Sequence, residues 1–186
     1  MPRLRTFLIG AVVAAAALAA GIYAGLRQEA QNQAPDITPE HVARLFATQL
    51  DDPTGKPQPF AQWQGKTLVV NFWATWCPPC REEMPAFSRM QSKYAANGVQ
   101  FVGIALDNAD SVRDYARQFP VSYPLLIGGP DGGELARQLG NARLALPYTL
   151  LLDPSGKPRF ARLGALSEQE LAQELTKLGT EAPPLR

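Results

Sequence analysis

An α/β fold, with a mixed central sheet and helices on both faces, is predicted by three observations in this sequence. Two β-rich apolar runs, at residues 67–73 and 99–106, flank an amphipathic stretch that begins after Cys77. Uninterrupted apolar runs suit strands buried on both faces, and strand–helix–strand at this spacing is a right-handed βαβ unit. Further on, two apolar segments meet at Asp153-Pro154-Ser155-Gly156, a turn that makes them an antiparallel hairpin.

The totals narrow the class. Lys plus Arg number 18 against 17 for Asp plus Glu, a net charge of +1, so no global field points to nucleic acid. Only two cysteines occur, Cys77 and Cys80, three positions apart. A disulfide closing so short a loop is a weak staple and is better suited to being made and broken.

Each element follows in order. Arg3 and Arg5 precede an uncharged, Ala-rich run at residues 7–26. That length spans a hydrocarbon core, and the basic flank keeps the N-terminus cytoplasmic. Residues 1–26 are therefore expected to be a membrane anchor whose following domain is exported. The rival expectation is a cleaved signal peptide, with Ala17-Leu18-Ala19 as the processing site. Residues 27–40, polar and rich in Gln, read as a linker. The folded domain is expected over residues 41–180, with a tail at residues 181–186. Residues 41–50 form a helical or extended lead-in, and His41, the single histidine, reads as a surface residue.

The helix after Cys77 places Met84, Phe87, Met90 and Tyr94 on one side and contains Pro85; Asn97-Gly98 ends it. A second helix starts near Asp110, with Val112, Tyr115, Ala116 and Phe119 at helical spacing, and Pro120 stops it. Residues 123–127 form a short strand. Residues 128–133, with four glycines, read as a free loop, and Leu135 and Leu139 mark a brief helix closed by Gly140. Ser167 to Glu170 is a capping box opening a last helix with Leu171, Leu175 and Leu178 as its buried stripe. No internal repeat stands out.

The stretch Asn71-Phe72-Trp73-Ala74-Thr75-Trp76-Cys77-Pro78-Pro79-Cys80-Arg81-Glu82-Glu83-Met84-Pro85, with Leu146-Pro147 ahead of the hairpin, resembles the thioredoxin superfamily. More narrowly it is similar to the membrane-anchored TlpA/ResA-like branch, over residues 45–178. The resemblance implies a thioredoxin-like fold in which the helix and strand at residues 110–127 are a central insertion. It implies an extracytoplasmic thiol-disulfide oxidoreductase, usually a reductant, with no cofactor and acting as a monomer. It also implies a transmembrane thiol carrier as electron donor, and disulfide-bearing clients such as apocytochrome c or proteins with copper-site cysteines.

The residues suit that chemistry. Cys77 lies just before a helix, where unpaired N–H groups favour a thiolate nucleophile. Cys80, one turn in, resolves the mixed disulfide. Pro78 and Pro79 have no N–H, which withholds donors from the thiolate and favours the disulfide over the dithiol. Asn71 occupies the place of the buried aspartate of thioredoxins proper and cannot move a proton; Glu83, one turn past Cys80, is the expected acid–base group. The resemblance makes Pro147 a cis-proline that presents the Leu146 backbone to a client strand, with Tyr148 in place of the common threonine. Trp73 is expected in the core and Trp76 at the substrate surface.

Two rival functions fit the residues less well. A peroxiredoxin-type site wants hydroxyl and proline residues where Ala74 and Val70 stand. A copper-handling module would use the dithiol as ligands, but Met84 and Met90 look core-facing, and two cysteines with one distant histidine do not supply a zinc site's four ligands.

Overall fold

The structure, a computed structural model, describes residue 18, residues 21–23 and residues 37–180. The chain divides into two units, Met1–Gln33 and Ala34–Arg186. In the first, residue 18 and residues 21–23 are helical. The expected anchor at residues 7–26 lies largely outside the described residues, as do most of the linker and the tail. Among the described residues no helix is long and apolar enough to cross a membrane.

The first helix of the second unit is α1 (Pro39–Ala47), which starts two residues before the end of the segment read as linker and runs through most of the expected lead-in at residues 41–50. Thr38 caps it, accepting from the His41 N–H, while His41 Nδ1 accepts from the Thr38 N–H; the lone histidine is half of a capping box. Strands β1 (Gln49–Asp51) and β2 (Pro57–Pro59) form a small hairpin, followed by a 3-10 helix, Phe60–Trp63. Then come β3 (Thr67–Trp73), α2 (Pro78–Tyr94), β4 (Val99–Ala105), α3 (Ala109–Gln118), β5 (Leu125–Ile127), α4 (Gly129–Gln138), β6 (Tyr148–Leu152), β7 (Pro158–Leu163) and α5 (Glu168–Lys177).

The seven strands form one mixed sheet in the order β2-β1-β5-β4-β3-β6-β7. The central trio β3, β4 and β5 is parallel, and β6 runs antiparallel to both β3 and β7. All seven residues of β3 are buried, as expected of a strand covered on both sides. Its alternation divides the core. Val69 and Trp73 face α2, α3 and α5, whereas Leu68, Val70 and Phe72 face α1, the 3-10 helix and α4. Asn71 therefore points to the α2 side, in register with Gly103 on β4 and Thr149 on β6.

Two sequence expectations needed correction. Residues 128–133 are not a free loop: α4 begins at Gly129 and runs through them. The glycines serve close packing. A Cβ on Gly128 would stand 2.7 Å from Ile104 Cγ2 and 3.0 Å from the Ala105 carbonyl, and one on Gly132 would stand 3.2 Å from Ile104 and Leu106 side-chain atoms. A repeat also exists. Asp52-Pro53-Thr54-Gly55-Lys56-Pro57 and Asp153-Pro154-Ser155-Gly156-Lys157-Pro158 turn the two hairpins with the same hydrogen bonds, each aspartate Oδ1 accepting from the hydroxyl and N–H two residues on and from the lysine N–H. Positive φ at Gly55 and Gly156 completes both turns.

Gly103, in register with Asn71, is also closely packed. A Cβ there would lie 2.8 Å from Leu125 Cδ2 and 3.1 Å from Trp73 Nε1. Gly103→Ala is expected to lower stability by about 1–3 kcal/mol through overpacking, read as a shifted urea midpoint with an unchanged slope.

Candidate active site

Cys77 is the N-cap of α2, and Pro78 and Pro79 are its first two helical residues. Proline is well suited to the first turn, whose N–H groups have no intrahelical acceptor. Here it also leaves the Cys80 N–H as the first backbone donor beyond the cap. The Cys77 side chain makes no capping hydrogen bond. Its sulfur is joined to that of Cys80, with an S–S distance of 2.06 Å and a Cα–Cα distance of 5.3 Å. Cys80 is fully buried and Cys77 is 4% exposed.

The loop before Cys77 is fastened to β4. The Leu106 N–H reaches the Trp73 carbonyl at 2.8 Å, continuing the parallel ladder one step past β4. Asp107 extends it by a side chain: Oδ2 accepts the Thr75 N–H at 3.1 Å and the Thr75 hydroxyl. The Cys77 N–H then closes a turn on the Ala74 carbonyl. Trp73 is wholly buried, while Trp76, inside this turn, is 66% exposed.

Glu83, three residues past Cys80 on α2, is 6% exposed. Oε1 accepts from Asn71 Nδ2 and Oε2 from the Leu166 N–H, both at 2.9 Å. Burial pushes its carboxyl up to about 7, against these two hydrogen bonds, which favour the charged form. Asn71 Nδ2 also donates to Thr149 Oγ1, and Asn71 Oδ1 has no partner among the described residues. A half-turn of that amide would offer the carboxyl an acceptor in place of a donor. Asparagine can thus serve both the charged and the protonated carboxyl, which an ionised aspartate beside Glu83 could not do without like-charge repulsion.

The Leu146–Pro147 bond is cis. Leu146 packs partly buried against the core cluster that contains Cys77 and Cys80. Tyr148 turns the other way: its ring lies 6.1 Å from that of Phe72, and its hydroxyl donates to the Leu139 carbonyl at 2.6 Å. It therefore offers no side chain to a client.

Asp107, Thr149 and Leu166 also reach the site, and sequence reasoning did not single them out. Asp107 and Leu166 come from two different loops and Thr149 from β6, and none carries a local motif. Among the described residues no group of three or more His, Cys, Asp or Glu side chains could hold a metal ion.

A cysteine pair joined at a helix N-terminus, over a mixed sheet whose neighbouring strand follows a cis X–Pro bond, defines a thioredoxin-superfamily dithiol protein. Residues 29–175 match the Redoxin family model, and the chain belongs to that family, on its TlpA/ResA-like side. The thiol-disulfide oxidoreductase ResA of Bacillus thuringiensis subsp. konkukian (strain 97-27) is 31% identical over 130 residues, covering 69% of this chain and 73% of its own. The thioredoxin-like protein YneN of Bacillus subtilis (strain 168) is 30% identical over 152 residues, covering 80% and 79%. The crystal structure of a thioredoxin-related protein from Neisseria meningitidis serogroup B superposes with a TM-score of 0.63 at 32% identity, over 71% of this chain and 99% of that one. A thiol:disulfide interchange protein from Chlorobium tepidum TLS superposes with a TM-score of 0.64 at 28% identity, over 70% and 92%. The protein is accordingly a protein-disulfide oxidoreductase, and the Cys77–Cys80 pair supports that redox function.

Proposed function

We propose that the chain works as a reductant of client disulfides outside the cytoplasm, tethered through residues 7–26. The carrying observation is the start of α2, where Pro78 and Pro79 follow Cys77 and no side-chain capping bond supports its sulfur. A thiolate with few donors is less stabilised relative to the disulfide, and this favours giving electrons away.

In the dithiol form the Cys77 thiolate attacks one sulfur of a client disulfide. The client S–S bond breaks, one client sulfur leaves as a thiolate, and a mixed disulfide forms. Cys80 loses its proton, with Glu83 as the acceptor through the site, and attacks the Cys77 sulfur. The second client thiolate leaves and the Cys77–Cys80 disulfide forms, two electrons having passed to the client. A dithiol carrier in the membrane restores the pair by the reverse exchange. Trp76 and the free backbone of Leu146 meet the client, beside Pro147. Clients of the cytochrome c or copper-site kind fit a tethered reductant outside the cytoplasm, where cysteines are otherwise oxidised.

Reduction of insulin and equilibration with glutathione test this reading. The dithiol form should reduce insulin, and its pair should be more reducing than glutathione. A pair more oxidising than glutathione overturns the assignment as a reductant.

A further inference from the structure

Leu146 sits between backbone segments that are all tied down. Asn141, buried on the approach to the proline, donates from Nδ2 to the Ala145 carbonyl at 2.9 Å and accepts the Ala145 N–H on Oδ1 at 3.1 Å. Its side-chain amide thus pairs with both groups of one residue, much as a neighbouring strand would. Between them Leu144 has φ 51°, a left-handed conformation that a bulky residue rarely adopts, and its N–H bonds the Asn141 carbonyl at 3.0 Å. The Asn141 N–H is anchored in turn to the Ala136 carbonyl of α4 at 2.8 Å. On the far side the Gly164 N–H holds the Pro147 carbonyl, also at 2.8 Å. Leu146, in the middle, gives neither its N–H nor its carbonyl to a partner among the described residues.

We propose that Asn141 is a positioning residue for client docking: its amide holds Ala145 so that the unpaired backbone of Leu146 is presented, already ordered, to an extended client segment. The proposal rests on the reading above in which Leu146 receives the client. Strand addition uses main-chain hydrogen bonds for affinity, and a segment ordered in advance does not have to be ordered on binding. Asn141 therefore sets the affinity for polypeptide disulfides and leaves the exchange at Cys77 untouched. A small aromatic disulfide has no peptide to dock and should not sense the residue.

The test compares the full chain with Asn141→Ala and Asn141→Asp at pH 8. Steady-state insulin reduction is measured with dithiothreitol as the regenerating thiol, alongside stoichiometric reduction of 5,5′-dithiobis(2-nitrobenzoate). Asn141→Ala is expected to raise KM for insulin about fivefold or more, as ordering returns to the binding step, with kcat and the small-disulfide rate unchanged. Asn141→Asp keeps the acceptor for the Ala145 N–H and loses the donor to its carbonyl, so it should raise KM in the same way if the alanine variant does not fold. An unchanged KM in the folded variants, or an equal fall for insulin and the small disulfide, overturns the proposal. A parent chain that reduces the small disulfide but not insulin overturns the docking reading itself, and this proposal with it.

Discussion

Cys77→Ser is expected to reduce insulin turnover to background, a loss of about a thousandfold or more, because the remaining thiol, Cys80, is fully buried and has no partner cysteine to complete a second exchange. Cys80→Ala should behave differently. It retains the first attack and lacks the second, so mixed disulfides with clients accumulate on Cys77. The geometry supports this division: Cys77 caps α2 and keeps some exposure, whereas Cys80 is fully enclosed in the first turn. In the dithiol form, alkylation should therefore mark Cys77 well before Cys80. Non-reducing gels and mass spectrometry of the Cys80→Ala protein read out the trapped species. Turnover surviving in Cys77→Ser would place the nucleophile elsewhere.

Glu83→Gln should slow exchange by about ten- to a hundredfold and remove an inflection of the rate near pH 7. Its effect on stability has a defined sign. The folded carboxyl is held near 7 by burial, against an ordinary value of 4.5. Between those values the folded state binds the proton that the unfolded chain has already lost. The stability contributed by the protonated group is thus complete below about pH 4.5 and is lost as pH rises through 7, a cost on the order of 3 kcal/mol above that point. Glutamine cannot ionise and avoids this cost. One of its two amide atoms would face a donor, either Asn71 Nδ2 or the Leu166 N–H, but turning the Asn71 amide relieves the first clash. Chemical denaturation at pH 8.5 should find Glu83→Gln more stable than the parent, with the advantage shrinking or reversing at pH 5. An advantage that does not vary with pH would mean that Glu83 does not titrate in this window.

Much of this was legible in the sequence wherever local pattern determines structure. The apolar run of β3, the α2 stripe of Met84, Phe87, Met90 and Tyr94, and the capping box at Ser167 and Glu170 all depend on near neighbours. Asn71 and Glu83 were each singled out, yet their hydrogen bond joins residues 12 positions apart across two elements, and no spacing rule encodes it. The glycines of α4 misled because their value lies in what they pack against, Ile104 and Leu106, rather than in freedom of the chain. The β1–β2 hairpin was hidden by brevity and by prolines, which argue against a strand unless it lies at an edge. Asn141 was not singled out, since its paired hydrogen bonds to Ala145 form only once the intervening turn is folded.

The prolines of β2 have a further consequence. Pro57 and Pro59 alternate along one outer strand of the sheet, where they present no N–H to a fourth party. At the opposite border β7 begins with Pro158 and carries Arg159 and Arg162. Both rims are thus poorly suited to recruiting another chain. A protein that exchanges disulfides with client polypeptides gains from rims that do not add a client strand. On the docking proposed above, blunted borders would leave the Leu146 peptide as the place where an extended chain is welcomed, confining engagement to the point where the sulfurs can meet.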